Sequence, residues 1–183
     1  MKDPDFDFEV ASGKVAGLLP ANIGVRKMYR GQFEDDEKFG DELLGVLNQG
    51  PLVVNYLGHG SVEVWRGGVL SVEDAGGLRN YPHLSFFVDM TCLNGMFHDV
   101  YTESLAEALL KAGQGGAIAV WASSGLTGLE GQVVMNQELM RLLFSQEKLT
   151  LGEAAMRAKR VATDPDVRKT WILFGDPTTK LKP

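Results

Sequence analysis

At 183 residues the chain has the length of one domain with interior enough for a core, and its 44% hydrophobic and 23% charged residues exclude a disordered segment. Its 24 acidic residues outnumber 18 basic ones for a net charge of -6, and no basic run is present, which argues against nucleic acid as a partner. A single cysteine, Cys92, excludes an internal disulfide and a multi-cysteine metal site, and the longest apolar runs, Leu84 to Met90 and Ala117 to Ala122, fall far short of the roughly 20 residues that span a membrane.

The chain opens on Met-Lys-Asp-Pro-Asp-Phe-Asp-Phe-Glu, acidic where a signal peptide is basic and then apolar. The expectation is a cytosolic chain or one without its leader. From Phe8 to Leu19 the apolar residues fall at helical spacing up to Pro20, and Ile23 to Tyr29 alternates as a strand does. Glu34 to Asn48 reads as an amphipathic helix closed by Gly50. Three buried strands follow: Leu52 to Leu57, Leu84 to Met90 and Ala117 to Ala122. Between the second and third, a helix is expected from about Thr102 to Ala112, capped by Thr102 or Asp99. Helices near Val133 to Phe144 and Leu151 to Ala162 precede a last apolar piece, Trp171 to Phe174. Apolar strands alternating with helices predict a three-layer α/β domain whose mostly parallel sheet is covered on both faces.

In such a sheet, ligands bind at the carboxyl ends of the strands. Here the three strands run into Gly58-His59-Gly60-Ser61, Thr91-Cys92-Leu93-Asn94-Gly95 and Ser123-Ser124-Gly125. Cys92 follows His59 by 33 residues, a spacing that suits neighbouring parallel strands. A thiol beside an imidazole is the minimal apparatus for nucleophilic acyl transfer, because the thiolate is the attacking species. Gly58 and Gly60 let the histidine loop turn sharply and let a substrate carbonyl approach the Gly60 N–H. If the Cys92 N–H converges on the same point, the pair forms an oxyanion hole. A free cysteine is otherwise most often a buried packing residue.

The runs Val53 to Ser61 and Val88 to Gly95 resemble the gingipain family of cysteine peptidases, within the caspase-like superfamily. Glu103 to Leu109, Gly116 to Ala119, Ala122 to Ser124 and Leu173 to Thr178 match in the same order. The resemblance implies a caspase-like fold over residues 1–183 and a cysteine endopeptidase acting on polypeptide, with no cofactor. It assigns Cys92 as nucleophile, His59 as the acid that protonates the leaving amine, and the Gly60 and Cys92 amides as the oxyanion hole. An acid near the histidine matches Asp3, with Asp5 as the alternative. For a primary pocket that takes basic residues, Asp5, Asp7 or Glu9 is the match, the other reading being that these acids cap the first helix. Ser123 and Ser124 are expected on the pocket wall and Trp65 in the cleft. The resemblance further implies that an upstream subdomain completes the catalytic region, and that the chain belongs to a longer, secreted bacterial precursor placed outside the cell or on its surface. A transpeptidase using the same thioester, or a catalytically silent binding module, are the competing readings.

The remaining candidates are weaker. His83 reads as a surface residue and His98 beside Asp99 as structural, and the three histidines lack metal-ligand spacing. Ser145 to Lys148 matches S-x-x-K without its accompanying motifs, and Gly113 to Gly116 is a helix-to-strand turn rather than a phosphate loop.

Overall fold

A computed structural model describes residues 6–182. Four strands, β1 (Val53–Leu57), β2 (Ser85–Met90), β3 (Ala117–Ser123) and β4 (Trp171–Gly175), form one sheet in the order β1-β2-β3-β4. The first three are parallel, and β4 returns antiparallel to β3. Among the described residues, seven α-helices accompany them: α1 (Phe8–Ala16), α2 (Asp36–Leu47), α3 (Val72–Gly76), α4 (Leu105–Lys111), α5 (Leu129–Leu143), α6 (Leu151–Lys159) and α7 (Pro165–Thr170).

Alternation along the strands divides the core. Phe86, Val88, Met90, Ala119, Trp121 and Trp171 face one way, into a layer with Val15 of α1, Met135 and Leu139 of α5, Ala154 and Ala158 of α6 and Val167 of α7. Phe87, Val120 and Ala122 face the other way, into Leu43 and Leu47 of α2, Ala75 of α3 and Leu105 and Leu109 of α4. β2 is buried at every position, which explains its unbroken apolar reading. Because α3 and α4 connect successive parallel strands and lie on one face, all three strands present their carboxyl ends on one edge.

Local chemistry sets the helix starts. Asp7 caps α1, its carboxylate accepting from the Val10 N–H at 3.0 Å, and Asp35 caps α2. The cap of α4 is Ser104, in a reciprocal box with Glu107, rather than Thr102 or Asp99. A hydroxyl three residues ahead of a glutamate satisfies two helix-end donors at once, an advantage Thr102 and Asp99 lack. Residues 23–29 form no strand: they are irregular and largely exposed, and alternation without a neighbouring strand to pair with produces no ladder. The short α3 and α7, absent from the sequence reading, start on Ser71 and on Asp164 followed by Pro165.

Candidate active site

Register places the two reactive side chains. Leu57 of β1 is paired with Met90 of β2, and His59 and Cys92 each follow that pair by two residues, so both leave from the carboxyl ends of neighbouring parallel strands. The Gly58 N–H still donates to the Met90 carbonyl at 3.3 Å, so the two chains leave the sheet side by side.

The histidine loop is held from several directions. The His59 carbonyl accepts from the Tyr56 hydroxyl at 2.7 Å and from the Arg66 N–H at 2.9 Å. Ser61 N–H donates to the Val64 carbonyl, and Gly60 faces Trp65 across a two-stranded bridge. A side chain at Gly58 would run into the Tyr56 hydroxyl, and a Cβ on Gly60 would lie 2.8 Å from Thr91 Oγ1 and 3.0 Å from the Val64 carbonyl. Glycine is therefore required where the loop rests on the Thr91–Cys92 turn. The His59 imidazole packs edge-on to the Phe8 ring, with centroids 5.2 Å apart, so the first turn of α1 borders the site.

The Cys92 turn is equally constrained. Leu93, directly after Cys92, has a φ of 66°, a left-handed conformation uncommon for a bulky side chain. Its N–H donates to the Gly125 carbonyl, the Gly95 N–H to the Ser123 carbonyl, and the Asn94 side-chain amide to the Ser61 carbonyl. The turn thus ties the histidine loop to the end of β3. Cys92 is half-buried, its Sγ lying 3.6 Å from the Thr127 carbonyl and 4.0 Å from Thr127 Oγ1. The Gln132 side chain in turn pins Thr127, donating to its carbonyl at 3.2 Å and its hydroxyl at 2.9 Å. Among the described residues, no main-chain carbonyl takes the N–H of Gly60 or of Cys92.

Two expectations are corrected. Trp65 does not line the cleft: its ring is 2% exposed and stacks on Tyr56 at 4.0 Å with planes 4° apart. Ser123 is buried, its hydroxyl donating to the Gly125 carbonyl and bonding Thr170 Oγ1. Both residues occupy inward-facing positions next to loops that face outward, a distinction that sequence proximity does not carry. Ser124 is half-buried and fastened to the Thr170 carbonyl, leaving Thr127 as the residue of that loop nearest the thiol. Asp3 and Asp5 lie outside the described residues. Asp7 caps α1 beside Phe8, so the capping role holds for it. His83 and His98 are exposed. Among the described residues, no three His, Cys, Asp or Glu side chains gather where they could hold a metal ion, and no helix is long and apolar enough to cross a membrane.

A crevice of about 430 Å³ opens beside His59, within the range of small-ligand sites. Phe8, Glu9, Arg30, Asn55 and Arg66 are among its walls. On the far side of Cys92 the following loop exposes Phe97, Val100 and Tyr101, the last at 96%.

Sequence reasoning missed a carboxyl beneath these loops. Asp89 of β2 is fully buried, and among the described residues neither of its oxygens has a hydrogen-bond partner. Burial pushes its pKa up to about 8; the nearby Trp65 indole N–H eases this without completing a hydrogen bond. Burial likewise pushes the Tyr56 phenol up. The signal was available, because an aspartate inside an otherwise apolar buried strand carries a large desolvation cost.

A half-buried thiol and an imidazole just beyond the carboxyl ends of adjacent parallel strands, in a three-layer α/β domain, fit a caspase-like fold. A profile described as "Peptidase family C25" matches residues 2–182, and the chain belongs to that family. Gingipain R2 of Porphyromonas gingivalis is 29% identical over 149 residues, a match covering 74% of this chain and 20% of the relative. Gingipain R1 of the same organism is also 29% identical, with 15% of its length covered. The chain thus spans a fifth or less of these two relatives. Among solved structures, the complex of Porphyromonas gingivalis RgpB pro- and mature domains superposes with a TM-score of 0.78 at 24% identity, covering 94% of this chain and 42% of that one. The crystal structure of the Arg-specific cysteine proteinase gingipain R matches with a TM-score of 0.68 at 28% identity, covering 78% and 36%.

Proposed function

We propose that the chain carries the catalytic dyad of a cysteine endopeptidase, with Cys92 as nucleophile and His59 as general acid. The observation that carries this reading is that His59 and Cys92 each follow the paired ends of two neighbouring parallel strands, Leu57 and Met90, by two residues. In the reaction, the Cys92 thiolate adds to the scissile carbonyl carbon, forming the C–S bond. The oxyanion is held by the Gly60 and Cys92 amides, whose N–H groups no main-chain carbonyl among the described residues takes. Collapse breaks the C–N bond as the leaving amine takes a proton from His59, and water then releases the acid from the thioester and restores the thiol. The substrate is polypeptide. A transpeptidase would resolve the same thioester with an amine.

A preference for basic residues is supported by the Arg-specific relative and by Glu9, which lines the crevice beside His59. Among the described residues β1 is the terminal strand of the sheet, and its outer edge is where a strand from an upstream part of a longer, secreted precursor would pair.

The test is turnover of peptides carrying Arg, Lys or a neutral residue before the scissile bond by the wild type, Cys92→Ala and His59→Ala. Cleavage by the wild type, its loss in Cys92→Ala and a fall of about 10²–10⁴-fold in His59→Ala are expected. Cleavage by folded Cys92→Ala would overturn the assignment.

A further inference from the structure

The reaction outlined above needs a thiolate at Cys92 and names no donor for it. We propose that Thr127 acts on the reacting sulfur, its hydroxyl donating to the Cys92 thiolate, and that Gln132 is the positioning residue that turns this hydroxyl towards the sulfur. The catalytic part of this inference rests on the dyad reading, whereas the contact itself does not.

The sheet order puts Cys92 between two loops. β2 lies between β1, which leads to His59, and β3, which leads to Ser124 and Thr127. In the proposed reaction His59 gives its proton to the leaving amine, so a donor for the sulfur itself is wanted on the other flank. The loop on that flank is fastened twice: the Ser124 N–H donates to the Thr170 carbonyl at 2.9 Å, and the Leu93 N–H donates to the Gly125 carbonyl at 3.3 Å. Thr127 is thereby brought to the thiol, its carbonyl 3.6 Å and its Oγ1 4.0 Å from Sγ.

Hydrogen-bond polarity decides which way the Thr127 hydroxyl turns. A carbonyl oxygen only accepts, so the part of the Gln132 side chain that faces the Thr127 carbonyl at 3.2 Å is the amide nitrogen. The same nitrogen lies 2.9 Å from Thr127 Oγ1. An amide nitrogen donates and does not accept, so the hydroxyl oxygen accepts there and its own proton goes elsewhere. Among the described residues, Cys92 Sγ is the other partner within reach of that hydroxyl. Gln132 is 2% exposed and stands at the start of α5, whose Met135 and Leu139 are core residues, so the clamp is built into the packed part of the fold.

The two Thr127 groups suit the two forms of the sulfur. The neutral thiol donates to the carbonyl; once its proton has gone the sulfur only accepts, and the hydroxyl is the group that can answer it. A hydrogen bond to an ionised acceptor is shorter and about twice as strong as a neutral one, so the 4.0 Å contact closes when the thiolate forms.

The test is the rate of alkylation of Cys92 by iodoacetamide, followed by intact mass between about pH 6 and pH 10 in the wild type, Thr127→Val, Thr127→Ser and Gln132→Met. The thiolate is the attacking species, so the profile reads the donor directly and needs no peptide turnover. Thr127→Val keeps the carbonyl and the branched shape and removes the hydroxyl. Its half-maximal rate is expected about one pH unit above that of the wild type, which makes the reaction about tenfold slower in neutral solution, with the same plateau in alkali. Thr127→Ser is expected to follow the wild type, and Gln132→Met to shift in the direction of Thr127→Val. A Thr127→Val profile that coincides with the wild type, or a Thr127→Ser profile displaced as far as that of Thr127→Val, overturns the role of the hydroxyl. A lower plateau without displacement marks a packing effect and overturns it as well. An undisplaced Gln132→Met profile overturns the positioning role. A wild-type chain that cleaves no peptide while its variants show these shifts supports the Thr127 contact and counts against the dyad.

Discussion

The Tyr56 hydroxyl donates to the His59 carbonyl across 2.7 Å, so the last polar side chain of β1 fixes the backbone of the residue that β1 delivers to the site. The bond spans three residues of one chain, and the ring that makes it is stacked on Trp65. The geometry of the histidine loop is consequently set from below, by the core, while its imidazole meets the crevice.

Tyr56→Phe keeps the stacked ring and removes this bond, leaving the Arg66 N–H as the partner of the His59 carbonyl. A stability loss of about 0.5–1.5 kcal/mol is expected from urea unfolding. Peptide cleavage is expected to fall more than alkylation of Cys92 by a small reagent, since only cleavage needs the imidazole in place.

Gly60→Ala forces a methyl group against Thr91 Oγ1 and the Val64 carbonyl and displaces the amide assigned to the oxyanion. A fall in kcat of about 10²–10³-fold is expected, the scale of losing one oxyanion donor, with KM little altered. Steady-state kinetics on a single peptide checks it.

Ser104→Ala removes the buried cap of α4: the Glu107 N–H loses its hydroxyl acceptor, while the Glu107 carboxylate keeps only the backbone N–H of residue 104 from the box. The expected loss is about 0.5–2 kcal/mol, which for a domain of this size lowers Tm by about 2–4 °C per kcal/mol, measured by calorimetry.

The pH dependence of stability follows from Asp89. Its pKa is raised in the fold from an ordinary 3.8 to about 8, so the folded state holds a proton that the unfolded chain gives up. This favours the fold fully below about pH 4, and the advantage is lost progressively as pH rises to about 8. Asp89→Asn has no proton to lose. The urea midpoint of the wild type is therefore expected to fall relative to that of Asp89→Asn between pH 4 and pH 8, with a constant difference above.

The three parallel strands and most helices were legible because their periodicities are strong and their neighbours in sequence are their neighbours in space. The strand-end places of His59 and Cys92 were legible for the same reason, although β1, expected to be buried like β2, is only partly buried at every position because it stands at the margin of the described sheet. Residues 23–29 misled because alternation records which way side chains point, while a strand also needs a partner for its backbone. Trp65 and Ser123 misled because a loop near the site has an inner and an outer side. Thr127 reaches Cys92 from 35 residues away, a contact made by the packing of α5 and invisible to local pattern. Asp89 could have been found: one acid in the run Leu84 to Met90 contradicts the burial that the rest of the run implies.

The most direct measurement is the intact mass of the chain after exposure to a peptidyl electrophile carrying Arg, Lys or a neutral residue before its reactive carbonyl. One adduct per chain, located on Cys92, formed fastest with a basic residue and slowed in His59→Ala, is the predicted result. Equal labelling of Cys92→Ala, or labelling of Cys92 no faster than by a small alkylating reagent and indifferent to His59, would contradict it.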